Sequence, residues 1–158
     1  MTRAGNAPAA DAGRILVVED SPSARRLLQD VLLRLGAELP NLRLTGSVVE
    51  ALTVFTQWRP DVVFVDVELP AGPPALISKE APPQSGQDPT DGAGLAVLFL
   101  TRDPSVRVIL CSAADPSDRR VARLVNEGKV DYIMKPLLAA RVEEVLARRA
   151  APDLRSRS

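Results

Sequence analysis

Between Arg14 and Leu146 the chain repeats one alternation five times: a short apolar run, several of them β-branched, followed by a longer amphipathic segment. The runs are Ile15–Val18, Leu42–Thr45, Val62–Val65, Val106–Leu110 and Tyr132–Met134. Nearly continuous apolar runs suit parallel strands covered on both faces, because neither face meets water. In the longer segments Leu27, Leu28, Val31, Leu32 and Leu35 form a stripe, and so do Ala51, Leu52 and Phe55. Leu95, Leu98 and Phe99 form the third, Val121, Leu124 and Val125 the fourth, and Leu138, Val142, Val145 and Leu146 the last. Such spacings place apolar side chains on one side of a helix. Ser21-Pro22 suits a helix start, where proline is tolerated, and Gly36 and Gly128 suit helix ends that need a left-handed residue. Five strand–helix units joined by right-handed crossovers predict an α/β domain, a (βα)5 parallel sheet between helical layers.

At 158 residues the chain has room for one domain, and 46% hydrophobic residues can supply its core without disulfides or metal. The pattern assigns that domain to residues 14–150. Residues 1–13 and 151–158 read as disordered tails, rich in small or polar residues without a period. One segment breaks the rhythm. Six of the fourteen prolines fall between Pro70 and Asp91, which marks a Pro-rich insertion at about 71–90. Loops of that length in a compact domain are usually functional or disordered.

Charge removes several function classes. Twenty Lys plus Arg balance twenty Asp plus Glu, so no net basic field draws a nucleic acid, and no direct nucleic-acid partner is expected. The chain has no His, which excludes a histidine triad, a His-ligated metal and a phosphohistidine of its own. Cys111, the one cysteine, lies in an apolar run and reads as a buried structural thiol, in keeping with a reducing compartment. The first residues lack the apolar stretch of a secretory signal. The longest apolar run, Ala93–Leu100, is too short to span a bilayer. The expectation is a cytoplasmic protein with no membrane partner.

In an open parallel sheet, ligands bind beyond the carboxyl ends of the strands, at the switch point in strand order. The first run ends in Glu19-Asp20, the third in Asp66 with Glu68 two residues on, the fourth in Cys111-Ser112-Ala113, and the fifth in Lys135-Pro136. Each has an ordinary reading: Asp20 or Ser112 as a helix cap, Asp66 as a solvated loop residue, Lys135 as surface charge. Those readings make the shared rim an accident. Carboxylates held close together must protonate, separate or bind a cation. Oxygen-only ligands favour Mg²⁺, which prefers sites where a phosphate completes its shell. A lysine and a hydroxyl opposite could take further phosphate oxygens. The set suits phosphoryl transfer, with one carboxylate as nucleophile giving an aspartyl phosphate.

These residues resemble the receiver domain of two-component response regulators, over about residues 14–149. Ile15–Pro22 resembles the family's first strand and acid pair. Asp61–Pro70 resembles the acceptor strand, with Asp66 at the acceptor position. Val106–Ala113 is similar to the fourth strand, with Ser112 in the hydroxyl role, and Asp131–Pro136 to the fifth, with Lys135 as the phosphate-contacting lysine. The resemblance implies a flavodoxin-like fold with strand order 2-1-3-4-5. It implies that Asp66 takes a phosphoryl group from a sensor histidine kinase or phosphotransfer protein. Glu19, Asp20, Asp66 and the backbone carbonyl of Glu68 would hold Mg²⁺. Tyr132 would be the switch aromatic, moving inward as Ser112 closes on the phosphate, and the Lys135–Pro136 bond would be cis.

The sequence departs from the family in two places: the Asp91-Gly92 pair comes roughly eighteen residues later than usual, and Leu69 replaces a common Met, which reads as neutral. The implied output face is the fourth helix, fifth strand and fifth helix, with Arg119, Arg120 and Arg123 at the start of the fourth helix. With no sequence after Ser158, the expected output is contact with a downstream protein target, and a homodimer formed on phosphorylation stays open. The expected class is a phosphoacceptor signalling protein that supports its own phosphotransfer and autodephosphorylation. Two rivals remain: a degenerate receiver acting as a phosphorylation-independent scaffold, and an Mg²⁺-dependent phosphatase with an aspartate nucleophile. The second places its nucleophile on the first strand, which does not match Asp66.

Overall fold

A computed structural model describes residues 8–70, 91–113 and 119–148. In chain order it contains β1 (Ile15–Val18), α1 (Pro22–Arg34), β2 (Leu42–Thr45), α2 (Val48–Trp58) and β3 (Val62–Asp66). There follow α3 (Gly92–Arg102), β4 (Arg107–Ser112), α4 (Arg119–Asn126), β5 (Val130–Met134) and α5 (Ala139–Arg148). All strand pairs are parallel, in the order β2-β1-β3-β4-β5. This is the flavodoxin-like arrangement, whose order reverses between β1 and β3.

Successive strand residues face opposite layers, because side chains alternate across a sheet. Leu16, Val18, Val63, Val65, Val108 and Leu110 pack under α2, α3 and α4, against Leu52, Phe55, Leu95, Phe99, Val121 and Leu124. Ile15, Val17, Val62, Phe64, Ile109 and Cys111 pack under α1 and α5, against Leu28, Val31, Leu32, Val142 and Val145. Phe55 and Phe99 stack with ring centroids 4.2 Å apart, joining α2 to α3. Two sealed faces explain why the strands read as continuous apolar runs.

The helix ends carry local signals, of which Ser21-Pro22, Gly36 and Gly128 were expected. Ser21 caps α1 with Pro22 in the first turn, Ser47 caps α2 and Asp91 caps α3. Gly36 and Gly128 take φ of 107° and 72°. At the amino-terminal end of the sheet Arg107 is buried, which the sequence did not announce. Its Nε sits 3.0 Å from Asp131 Oδ2, and its other nitrogens donate to the carbonyls of Leu146 (3.3 Å) and Val145. The guanidinium thus satisfies carbonyls of the last helical turn of α5, which no intrahelical donor reaches.

Several expectations are corrected. Strand β4 runs from Arg107 to Ser112 instead of Val106 to Leu110, since Arg107 is neutralised in place and pairing continues past the apolar run. Strand β5 begins two residues earlier than expected, at Val130. Leu27 is 50% exposed, because it lies one helical step off the stripe formed by Leu28, Val31 and Leu32. Leu138 is 56% exposed and precedes α5, and Leu137 is buried instead. Residues 8–13 are not loose: Ala9 is buried, and its N–H donates to the Leu35 carbonyl at the end of α1. The 71–90 insertion, residues 1–7 and the 151–158 tail lie outside the described residues.

Candidate functional site

The reversal in strand order opens a crevice where β1 and β3 end, and the sequence ends both strands in acids. Asp66 is the last residue of β3 and is buried, so it is no solvated loop residue. Glu19 follows β1 and is also buried, fixed by its N–H to the Thr45 carbonyl at 3.0 Å. Asp20 is exposed beside it, and because Ser21 takes the capping role, Asp20 is not spent on α1. One carboxylate oxygen each from Glu19, Asp20 and Asp66 lies within 4.8 Å of the other two.

Lys135 reaches this group from the end of β5. Its Nζ lies 2.9 Å from Glu19 Oε1 and 3.4 Å from Asp66 Oδ1. It is therefore not a plain surface charge. Its backbone is set by a hydrogen bond to the Ser112 carbonyl and by a cis bond to Pro136. Burial pushes the Lys135 pKa down, but the Glu19 hydrogen bond and the charges of Asp66 and Glu19 outweigh it and hold the ammonium above its ordinary value. Asp66 moves the other way: burial and then the charge of Glu19 raise its pKa to about 7, against the opposing Lys135 and the Glu68 N–H. Two buried carboxylates with one ammonium are short of positive charge. The site fits a hard divalent cation, which would be held by oxygen alone.

Ser112 closes β4 and is buried. Its hydroxyl donates to Glu68 Oε2, and the Ala113 N–H donates to Glu68 Oε1 at 3.3 Å. The Glu68 N–H donates to Asp66 Oδ1 at 3.0 Å. Glu19, Asp20, Asp66, Glu68, Ser112 and Lys135 are thus brought to one rim. Tyr132 is half-buried and packs against the core layer that contains α4. Cys111 is buried, which pushes its thiol pKa up and keeps it unreactive.

Three contributors were not foreseen. Arg25 donates to the Glu19 backbone carbonyl at 2.7 Å, fixing the acidic turn. The Glu68 side chain, not only its carbonyl, takes part. Gly92 abuts the turn that follows Asp66: a Cβ there would lie 2.1 Å from the Asp66 carbonyl oxygen and 2.9 Å from Val67 Cα. Only the last had a sequence signal, the Asp-Gly pair that opens a helical stripe.

No protein-family model matches the sequence. Among curated proteins it is 26% identical to chemotaxis protein CheY of Thermotoga maritima, over 84% of this chain and 93% of that protein. It is 32% identical to the probable transcriptional regulatory protein TcrX of Mycobacterium tuberculosis, over 85% of this chain and 47% of the relative. Among solved structures, a CheY-like response regulator receiver domain protein from Methanospirillum hungatei superposes with a TM-score of 0.69. That match is 18% identical and covers 91% of this chain and 98% of the other. With the strand order and the acids at its switch point, these relatives mark the chain as a CheY-like receiver domain, similar to those of response regulators.

Proposed function

We propose that this receiver accepts a phosphoryl group on Asp66 and signals through phosphorylation-dependent protein contacts. The observation that carries the reading is the Lys135 ammonium set between the carboxylates of Glu19 and Asp66, with Asp20 alongside. An Asp66 carboxylate oxygen attacks phosphorus, the P–N bond of a donor phosphohistidine breaks, and the imidazole nitrogen leaves with the electron pair and is protonated. Transfer of this kind depends on positioning and charge neutralisation. Glu19, Asp20, Asp66 and the Glu68 carbonyl would hold Mg²⁺, which would supply neutralisation of the negative charge gathered at the rim. Lys135 takes one phosphoryl oxygen and the Ser112 hydroxyl another.

The donor is a sensor histidine kinase or phosphotransfer protein, the setting is cytoplasmic, and the reader is a downstream protein docking on α4, β5 and α5. Among the described residues no helix is long and apolar enough to cross a membrane. Tyr132 on β5 serves as the switch aromatic, and two states of similar free energy are biased by the new contacts.

The test is incubation with a small phosphodonor and Mg²⁺, followed by intact-mass measurement. The expected result is one acid-stable, base-labile phosphate adduct that is lost in Asp66→Asn. Absence of any adduct refutes the reading and leaves a scaffold. Rapid turnover of many phosphate esters would instead mark a phosphatase.

A further inference from the structure

The expected cation set uses only the backbone carbonyl of Glu68, yet its side chain is engaged across the rim. The Ser112 hydroxyl and the Ala113 N–H both donate to its carboxylate. Its own N–H donates to Asp66 Oδ1. One residue thus holds the acceptor through its backbone and the end of β4 through its side chain. A hydroxyl and an N–H from consecutive residues, converging on one carboxylate, form an anion-binding corner. Glu68 sits in that corner as an internal anion.

A phosphoryl group on Asp66 brings three negatively charged oxygens to the same rim. It cannot share the two donors with a carboxylate, because like charges at hydrogen-bond range repel. Building on the phosphoacceptor reading above, we infer that the Glu68 carboxylate is a latch. It occupies the Ser112–Ala113 donor pair at rest and must be displaced before those donors can serve the phosphoryl group. The burial pattern supports a reversible latch: Ser112 is buried and fixed at the strand end, whereas Glu68 is exposed. On release the carboxylate turns into water, where its charge is solvated, while the donors stay aimed at the rim.

The latch predicts a specific coupling. Loss of the Glu68 carboxylate frees the Ser112 hydroxyl in advance, so adduct formation speeds up, and that gain depends on the hydroxyl being present. Mere removal of a negative charge near an anionic phosphodonor speeds the reaction whether or not Ser112 is intact. Initial rates of adduct formation with acetyl phosphate and saturating Mg²⁺ are to be measured by intact mass. The proteins are the full chain, Glu68→Ala, Ser112→Ala and the double variant. Glu68→Gln, which keeps the shape but not the charge, should fall between wild type and Glu68→Ala.

Glu68→Ala is expected to react roughly three- to tenfold faster than wild type, the scale of one ordinary hydrogen bond released, since the exposed Glu68 carboxylate regains hydration when it leaves. In the Ser112→Ala background the gain should fall to less than half. An equal gain in both backgrounds, or none in either, overturns the latch while labelling of Asp66 leaves the acceptor reading standing. If the wild-type chain takes no phosphate at all, the acceptor reading fails and the latch fails with it.

Discussion

Replacing the central carboxylate by its neutral isostere should make the metal-free protein more stable, although Asp66→Asn removes the proposed acceptor. Burial and the neighbouring Glu19 lift the Asp66 pKa from its ordinary value of 3.8 to about 7 in the fold. Between those values the native state keeps a proton that the unfolded chain has lost, so stability falls as pH rises from about 4 to 7 and levels off above. A gap of about three pKa units corresponds to a ceiling of about 4 kcal/mol, at about 1.4 kcal/mol per unit. The rim is open to solvent on one side, and screening reduces the figure to about 1–2 kcal/mol.

Asn keeps the side-chain oxygen that accepts the Glu68 N–H, and Lys135 keeps Glu19, so little else is lost. For a domain of this size the gain is roughly 3–6 °C in Tm. The assay is thermal unfolding of chelator-treated wild type and Asp66→Asn from pH 4.5 to 8. The variant should melt higher at pH 8, with the difference closing toward pH 4.5. Added Mg²⁺ should then narrow the gap at pH 8 by stabilising wild type in proportion to ligand binding. A variant no more stable at pH 8, or a gap independent of pH, would refute the electrostatic account.

Other consequences can be checked separately. Lys135→Met should bind Mg²⁺ several-fold more tightly, because a competing cation leaves Glu19 and Asp66, yet form adduct more slowly; calorimetric titration and intact mass read the two effects. Mg²⁺ affinity of the wild type should weaken as pH drops below about 7, by up to tenfold per unit, since Asp66 must lose its proton to serve as a ligand. Gly92→Ala should cost about 1–3 kcal/mol in urea unfolding and slow adduct formation, because the added carbon meets backbone at Asp66 and Val67 and not a movable side chain. Arg107→Ala should cost about 2–4 kcal/mol in urea unfolding, and Asp131→Asn should cost at least as much, because it leaves the buried guanidinium without its counter-charge although the α5 carbonyls still accept from it.

Fold and site were legible in the sequence to different depths, for physical reasons. The strands Ile15–Val18 and Leu42–Thr45 were readable to the residue because apolar runs coincide with the paired segments there. The apolar run misplaced β4, because hydropathy is blind to a ladder that continues through Cys111 and Ser112. It is equally blind to an Arg107 made tolerable inside by Asp131. Leu27 and Leu138 were misassigned because leucines on either side of a stripe look alike until the first residue of the helix is fixed. The acids and Lys135 could be grouped because parallel strands all end at one rim, so chain position alone gives neighbourhood. The Glu68 carboxylate and Arg25 escaped, because side-chain reach between loops has no one-dimensional trace.

Arg107 ties β4, β5 and the final turn of α5 into one joint at the end of the sheet remote from Asp66. A bar clamped at one end can only swing at the other. Any rearrangement that begins where Lys135 and Ser112 meet the acids must therefore spread as a tilt about that clamp. The largest travel then falls on the opening turns of α5 and the carboxyl end of β5, and the least at Val145 and Leu146.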